Sequence, residues 1–263
     1  MILNNLKYLK FFVFVTICLK RILLQYNSMR YNNLIIIGTS HVAKQSLDEV
    51  ESVIKNEKPD IIALELDEKR FYSLLQKRKE KKKGRINIYN IKKVGIKGWV
   101  FSLIGAWVEK KIGRLVGIDP GSEMIKAIKL ARKENKKIAL IDQNIELTLK
   151  RFSKELTWKE KFNFAVDILK APFSKKEVKE LGIDLTKVPE KKIIDILLKK
   201  VKKRYPSVYK VLIHERNKVM AVNLRKLIKG NPDKKILAIV GAGHEEEIKK
   251  ILSGNSNSIT ITF

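Results

Sequence analysis

LIIIGTSHVAKQSLDEVESVIKNEKPDIIALELD, residues 34–67, reads as strand, glycine turn, helix and strand. Four apolar residues from Leu34 to Ile37 form the first strand, and Gly38 ends it. Leu47, Val50 and Ile54 recur at helical spacing, and Pro59 stops that helix. The second strand is the apolar run that begins at Ile61. Two strands joined by a helix make a βαβ unit, which crosses over right-handed in a parallel sheet. Ligands bind beyond the carboxyl ends of such strands. His41, Glu65 and Asp67 all fall there.

The other end of the chain repeats the pattern. The strand KILAIV at 235–240 runs into Gly241-Ala242-Gly243-His244, as the first runs into Gly38-Thr39-Ser40-His41. The chain has three histidines. Two of them stand in a GxxH after a strand of the same kind, which points to one shared site.

Composition bounds the rest. The 263 residues suffice for one large domain or two small ones. A single cysteine, Cys18, excludes an internal disulfide framework and a multi-cysteine zinc site. The formal charge of +28 would draw nucleic acid, anionic membrane or acidic ligands. Lysine predominates over arginine, and no zinc finger, RNP-type aromatic run or KH setting is present, so no specific nucleic-acid partner is expected. Residues 1–28 form a basic and apolar extension, too short in its uncharged part to span a bilayer. Translation from Met29 is the favoured reading, with a membrane-surface helix as the second. The expected location is the cytoplasm, with weak association at a membrane surface and homo-oligomerisation as further expectations.

Alternation along the strand from Ile61 places Ala63, Glu65 and Asp67 on one face and Ile62, Leu64 and Leu66 on the other. Glu65 therefore interrupts a strand that reads as buried on both sides. A buried lone carboxylate calls for a partner: a metal, or an ion pair with Arg70. Residues 76–85 are a charge run, and residues 97–116, with Trp99 and Trp107, read as a buried helix by default, with a ligand groove or an interface as alternatives. Ser122 is the expected helix cap, with Glu123 in the first turn either a functional carboxylate or a helix-start residue. A strand follows at 138–141 and ends at Asp142. Residues 144–210 read as a helical insert. The helix at 208–229, wound at 100° per residue, puts Val208, Val211, Leu212, Val219, Met220 and Val222 on its apolar face. Glu215 falls near the middle of that face, Arg216 toward its edge, and His214 away from it. A short helix at 245–252 and a last strand at 259–263 complete an α/β fold. Its central sheet is parallel or mixed and flanked by helices.

Six blocks in this order resemble the TraB/PrgY family, related to the GumN and TIKI proteins: IGTSHV at 37–42, ALELDEKR at 63–70, PGSEM at 120–124, LID at 140–142, ERNKVMA at 215–221 and VGAGH at 240–244. The resemblance implies one TraB-like domain over 29–263, with both GxxH motifs and a glutamate at a common site. It also implies a metal-dependent peptidase, or a protein that limits a peptide signal by cleavage or sequestration.

The chemistry expected is hydrolysis assisted by a divalent ion, Zn, Mn or Co. His41, His244 and Glu65 are the candidate ligands; Glu65 or Glu123 would complete the shell or act as general base, and Glu215 is a further catalytic candidate. Arg70 or Arg216 would hold a substrate carboxylate, or pair with Glu65 or Glu215. The alternative is a binding module without catalysis that sequesters a peptide or small molecule. Haem or iron at the two histidines is a further reading.

Overall fold

The computed structural model describes residues 29–39, 44–77, 121–169 and 191–254. His41, residues 1–28, most of the charge run, the Trp99–Trp107 segment and the strand expected at 259–263 lie outside the described residues.

The two apolar runs that carry GxxH motifs become strands buried along their whole length. β1 (Met29–Tyr31) forms an antiparallel edge on β2 (Leu34–Thr39). The chain continues through α1 (Lys44–Glu57), β3 (Ile61–Leu64) and α2 (Glu68–Lys77), then α3 (Ser122–Lys133) and β4 (Lys137–Leu140). Four helices follow: α4 (Ile145–Glu155), α5 (Trp158–Leu169), α6 (Lys191–Arg204) and the short α7 (Pro206–Tyr209). A wide π-helical turn (Lys210–His214) leads into α8 (Glu215–Gly230), and β5 (Ile236–Gly241) and α9 (Ala242–Ser253) close the described chain. The described part of the expected insert, 144–210, is helical.

The sheet order is β1-β2-β5-β3-β4, parallel except at the β1 edge. It is thus the mixed α/β sheet expected. Alternation sends the two halves of each strand into two separate cores. Ile35, Ile37, Ile62, Leu64, Leu66, Leu237 and Ile239 pack with Val50, Val53 and Ile54 of α1 and with Met124, Ala127 and Ile128 of α3. Leu34, Ile36, Ile61, Ala63, Ala238 and Val240 pack with Met220, Ala221 and Leu224 of α8 and with Ile248 and Leu252 of α9. Asn33 ties the start of β2 to the loop before β5, donating from Nδ2 to the carbonyls of Asn231 and Lys234, each at 2.7 Å.

This layering fixes where a site can form. β5 lies between β2 and β3, yet α9 leaves it on the face opposite α1 and α2. The helices after neighbouring strands therefore part at the strands' carboxyl ends, the place where doubly wound sheets bind ligands. In register, Gly38 stands beside Val240 and Thr39 beside Gly241, so the ends of the two GxxH strands are neighbours.

Two expectations change locally. Ser122 does not cap α3: the cap position is Gly121, at φ 83° with no side-chain bond to the helix. Glycine supplies that left-handed turn without the Cβ strain another residue would carry. The helix expected at 208–229 is interrupted by the π turn, whose extra residue rotates everything before it relative to everything after. The buried positions are Val208, Val211, Ile213, Asn217, Met220, Ala221 and Leu224, so Leu212, Val219 and Val222 are only partly buried.

Glu49 of α1 is a local cost of this packing. Both its carboxylate oxygens are buried without a hydrogen-bond partner. Burial, and then the Glu245 carboxylate, push its pKa up to about 8. The folded state thus holds a proton that the unfolded state releases near 4.5. This contribution to stability is complete below that value and is lost as pH rises through 8. Glu49→Gln should remove this pH-dependent loss. With a discount for partial exposure, the variant should gain about 1–2 kcal/mol at pH 8 and nothing at pH 4.5. Thermal denaturation of both proteins across that range measures the difference.

Candidate functional site

Glu65 stands one residue beyond β3, where its backbone N–H still donates to the Ile239 carbonyl at 3.1 Å. That last sheet bond keeps Glu65 on the Ala63 face, pointing toward α8 and α9. It is buried, with each carboxylate oxygen engaged: Gly241 N–H donates to one and Arg216 Nη2 to the other.

Arg216 is the centre of the arrangement. The π turn ends just before it and aims it across the carboxyl edge. Nε and Nη2 grip Asp142 at 3.0 and 2.7 Å, and Nη2 also reaches Glu65. Nη1 donates to the Leu212 carbonyl and to His244 Nε2, both at 3.2 Å. All five guanidinium N–H groups are thereby used inside the protein, and the side chain is only 15% exposed. Burial alone would lower the pKa of Arg216, but the Asp142 and Glu65 carboxylates outweigh it and raise it. Asp142 is equally saturated. Its Oδ1 also accepts from Gln143 N–H at 2.7 Å, and its Oδ2 from Arg70 Nη1 at 2.6 Å.

His244 sits buried at the start of α9. Asn217 Nδ2 donates to Glu247 Oε2 at 2.7 Å, which turns the amide oxygen toward the ring. His244 Nδ1 lies 2.6 Å from that oxygen and so carries the proton. Nε2 is left with the lone pair, which Arg216 Nη1 fills. The same Nε2 stands 3.5 Å from Glu65 Oε1. Glu247 continues outward to His214 Nδ1 and to the Tyr209 hydroxyl at 3.3 Å. His214 does face away from the core, as the helical wheel placed it, but it is anchored on Glu247.

The structure thus brings together Glu65, Arg70, Arg216 and His244. It does not bring Glu215 to them: that carboxylate forms a two-bond pair with Arg151 of α4, at 3.1 and 2.6 Å. Glu123 is buried in the first turn of α3, a helix on the opposite face of the sheet. Asp67 caps α2, accepting from the backbone N–H of Lys69 and Arg70 at 2.9 and 3.2 Å, while its Oδ2 is buried with no hydrogen-bond partner. Sequence reasoning passed over Asp142 and Asn217 as site residues. The signal for Asp142 is its place at the end of β4, the counterpart of Glu65 after β3. That for Asn217 is a polar residue on the same stripe as Met220, Ala221 and Leu224.

The described donors do not, as arranged, fit a divalent ion. Imidazole and carboxylate are suitable ligand types, but a guanidinium already holds both His244 Nε2 and Glu65 Oε1. Among the described residues no group of three His, Cys, Asp or Glu side chains is placed to hold a metal. Nor is any helix among them long and apolar enough to cross a membrane.

Comparison with known proteins places the chain among relatives that match it over most of its length. An uncharacterized protein of Methanocaldococcus jannaschii is 38% identical over 237 residues, covering 88% of this chain and 57% of its own length. TraB domain-containing proteins of mouse and cattle are 23% and 24% identical over 84% and 82% of this chain. The chain spans 57% to 63% of the length of these three relatives. The model of the TraB/PrgY/gumN family matches residues 28–255, so the chain belongs to that family.

Proposed function

We propose that the chain captures a peptide or small molecule through a carboxylate, at the carboxyl edge of the sheet, with Arg70 as the anion-binding group. One observation carries this reading. The two arginines of the site differ in what they have left to give. Arg216 spends every donor internally. Among the described residues, Arg70 engages only Nη1, on Asp142, and its Nε and Nη2 make no hydrogen bond. Its side chain is 31% exposed. A guanidinium fork of that kind matches a carboxylate in two bonds. Asp142 fixes one end of the fork, which lowers the ordering cost of binding. Asp67, at the start of the same helix, adds a buried acceptor for a ligand N–H or O–H.

The lone pairs described at the site favour capture over turnover. Glu65 and Asp142 accept charged or backbone donors at each oxygen, and His244 Nε2 accepts from Arg216. A general base needs a lone pair aimed at water. Metal-assisted hydrolysis is the second reading, favoured by the convergence of His244 Nε2 and Glu65 Oε1, with His41 as the further ligand. It requires Arg216 to release Nε2.

Calorimetric titration with a short hydrophobic peptide, as the free acid and as its C-terminal amide, tests the proposal. The free acid should bind at least about tenfold more tightly than the amide, and Arg70→Gln should erase that preference. Equal binding of acid and amide would refute it.

A further inference from the structure

Helix α5 is built inside out. Thr157 and Glu160 form a reciprocal cap at its start: Thr157 N–H donates to Glu160 Oε2 at 3.0 Å, and Glu160 N–H to Thr157 Oγ1 at 3.2 Å. The other Glu160 oxygen accepts from Ser207 N–H at 2.7 Å, pinning α5 to the start of α7. Seven residues on, and so on the same side, Asp167 accepts two bonds from Arg204, at 2.9 and 2.6 Å, and one from the Tyr205 hydroxyl. Both carboxylates are buried. The inward face of this helix therefore carries two buried carboxylates.

Its outward face carries the aromatics. Trp158 is 80% exposed and Phe162 71%. At a spacing of four they stand one above the other. An amphipathic surface helix ordinarily turns such residues inward. The charges beside them on the surface are positive. Lys154 and Lys159 are exposed, and Lys161 lies over the Trp158 ring at 4.0 Å. The nearby acids among the described residues are committed elsewhere: Glu160 and Asp167 inside, and Glu155 to Lys210 at 2.7 Å.

We propose that this face of α5 docks the protein on an anionic membrane surface, with Trp158 and Phe162 entering the boundary between headgroups and acyl chains and Lys154 and Lys159 among the headgroup phosphates. The charge pattern selects this occupant. Lysines beside aromatics, with no free acid among the described residues around them, complement a negative lipid surface, and Trp is the side chain best suited to a boundary that is apolar on one side and wet on the other. The docking helix belongs to the described part of the insert, so the sheet and the site at its carboxyl edge need not enter the bilayer.

Co-sedimentation of the full chain with phospholipid vesicles tests this. Wild type should bind vesicles of phosphatidylglycerol and phosphatidylcholine in equal parts and leave pure phosphatidylcholine vesicles largely free. Trp158→Ser with Phe162→Ser should weaken binding at least about tenfold, with the melting temperature unchanged because both side chains are exposed. Should the double variant unfold, Lys154→Glu with Lys159→Glu serves as the second probe and should weaken binding similarly. Equal binding by variant and wild type would place docking elsewhere, including residues 1–28, and overturn the proposal. So would wild type that ignores anionic vesicles, or wild-type self-association that the aromatic variant abolishes, which would make this face an interface between copies.

Discussion

Arg216→Met should destabilise the fold by about 3–5 kcal/mol, the range expected when one partner is removed from a buried ion cluster. The size follows from what stays behind. Glu65 and Asp142 remain buried, two carboxylates facing a site that has lost its cation. The Leu212 carbonyl and His244 Nε2 each lose a donor. Met fills much of the volume, so packing loss contributes little, and the cost reports uncompensated charge. Arg216→Lys keeps a charge but not the fork. One ammonium cannot reach Asp142, Glu65 and His244 together, so about half the loss should remain. Urea denaturation measures both, with an unchanged m-value marking a true stability effect. A loss under about 1 kcal/mol for Arg216→Met would mean that Arg216 is not the internal counter-ion.

Gly38→Ala should cost about 2–3 kcal/mol, by a different route. Gly38 has no left-handed backbone to require glycine: Gly121 is the positive-φ glycine among the described residues. What it lacks is room. A Cβ there would stand 2.3 Å from Glu245 Oε2 and 3.0 Å from both Cα and Cβ of Ala242. The Glu245 carboxylate is the end of a flexible chain and can move. The Ala242 backbone opens α9 and can yield only if α9 parts from β2. Gly38→Ala combined with Glu245→Ala should therefore recover less than half of the loss, a partition that a double-mutant cycle reads directly. Full recovery would show that only the carboxylate was in the way. The first GxxH glycine thus exists to let the second GxxH helix come close.

That contact explains how much of the site the sequence disclosed. The repeat of strand and GxxH announced a shared location, and strand alternation put Glu65 on the face it occupies, because a buried parallel strand has two sides and period two decides between them. The carboxyl-edge position of His244 followed from the same logic. The side chains on α8 were harder. A wheel of constant pitch cannot foresee a π turn, whose extra residue shifts the phase of everything before it relative to everything after. Glu215 was therefore turned inward on paper, whereas Arg151 of α4 holds it at the periphery. Pairing partners were equally hidden. Arg70 and Arg216 were both candidates for a substrate carboxylate, and only their shared grip on Asp142, 72 and 74 residues away in the chain, separates the saturated arginine from the open one. The inverted face of α5 was invisible for the same reason. Its capping box is legible at Thr157 and Glu160, but that the carboxylates turn inward depends on Ser207, Arg204 and Tyr205.

Capture without turnover, by Arg70 at a site where Arg216 is the internal counter-ion, is tested most directly by the fate of the ligand. The full chain, dialysed against Zn, Mn or Co in turn, is incubated with the free-acid peptide, and the peptide mass and the protein-bound metal are measured together. The peptide should return intact, and bound metal should stay well below one ion per chain. Cleaved peptide with near-stoichiometric metal, both lost in His244→Ala, would contradict it and establish hydrolysis at this site.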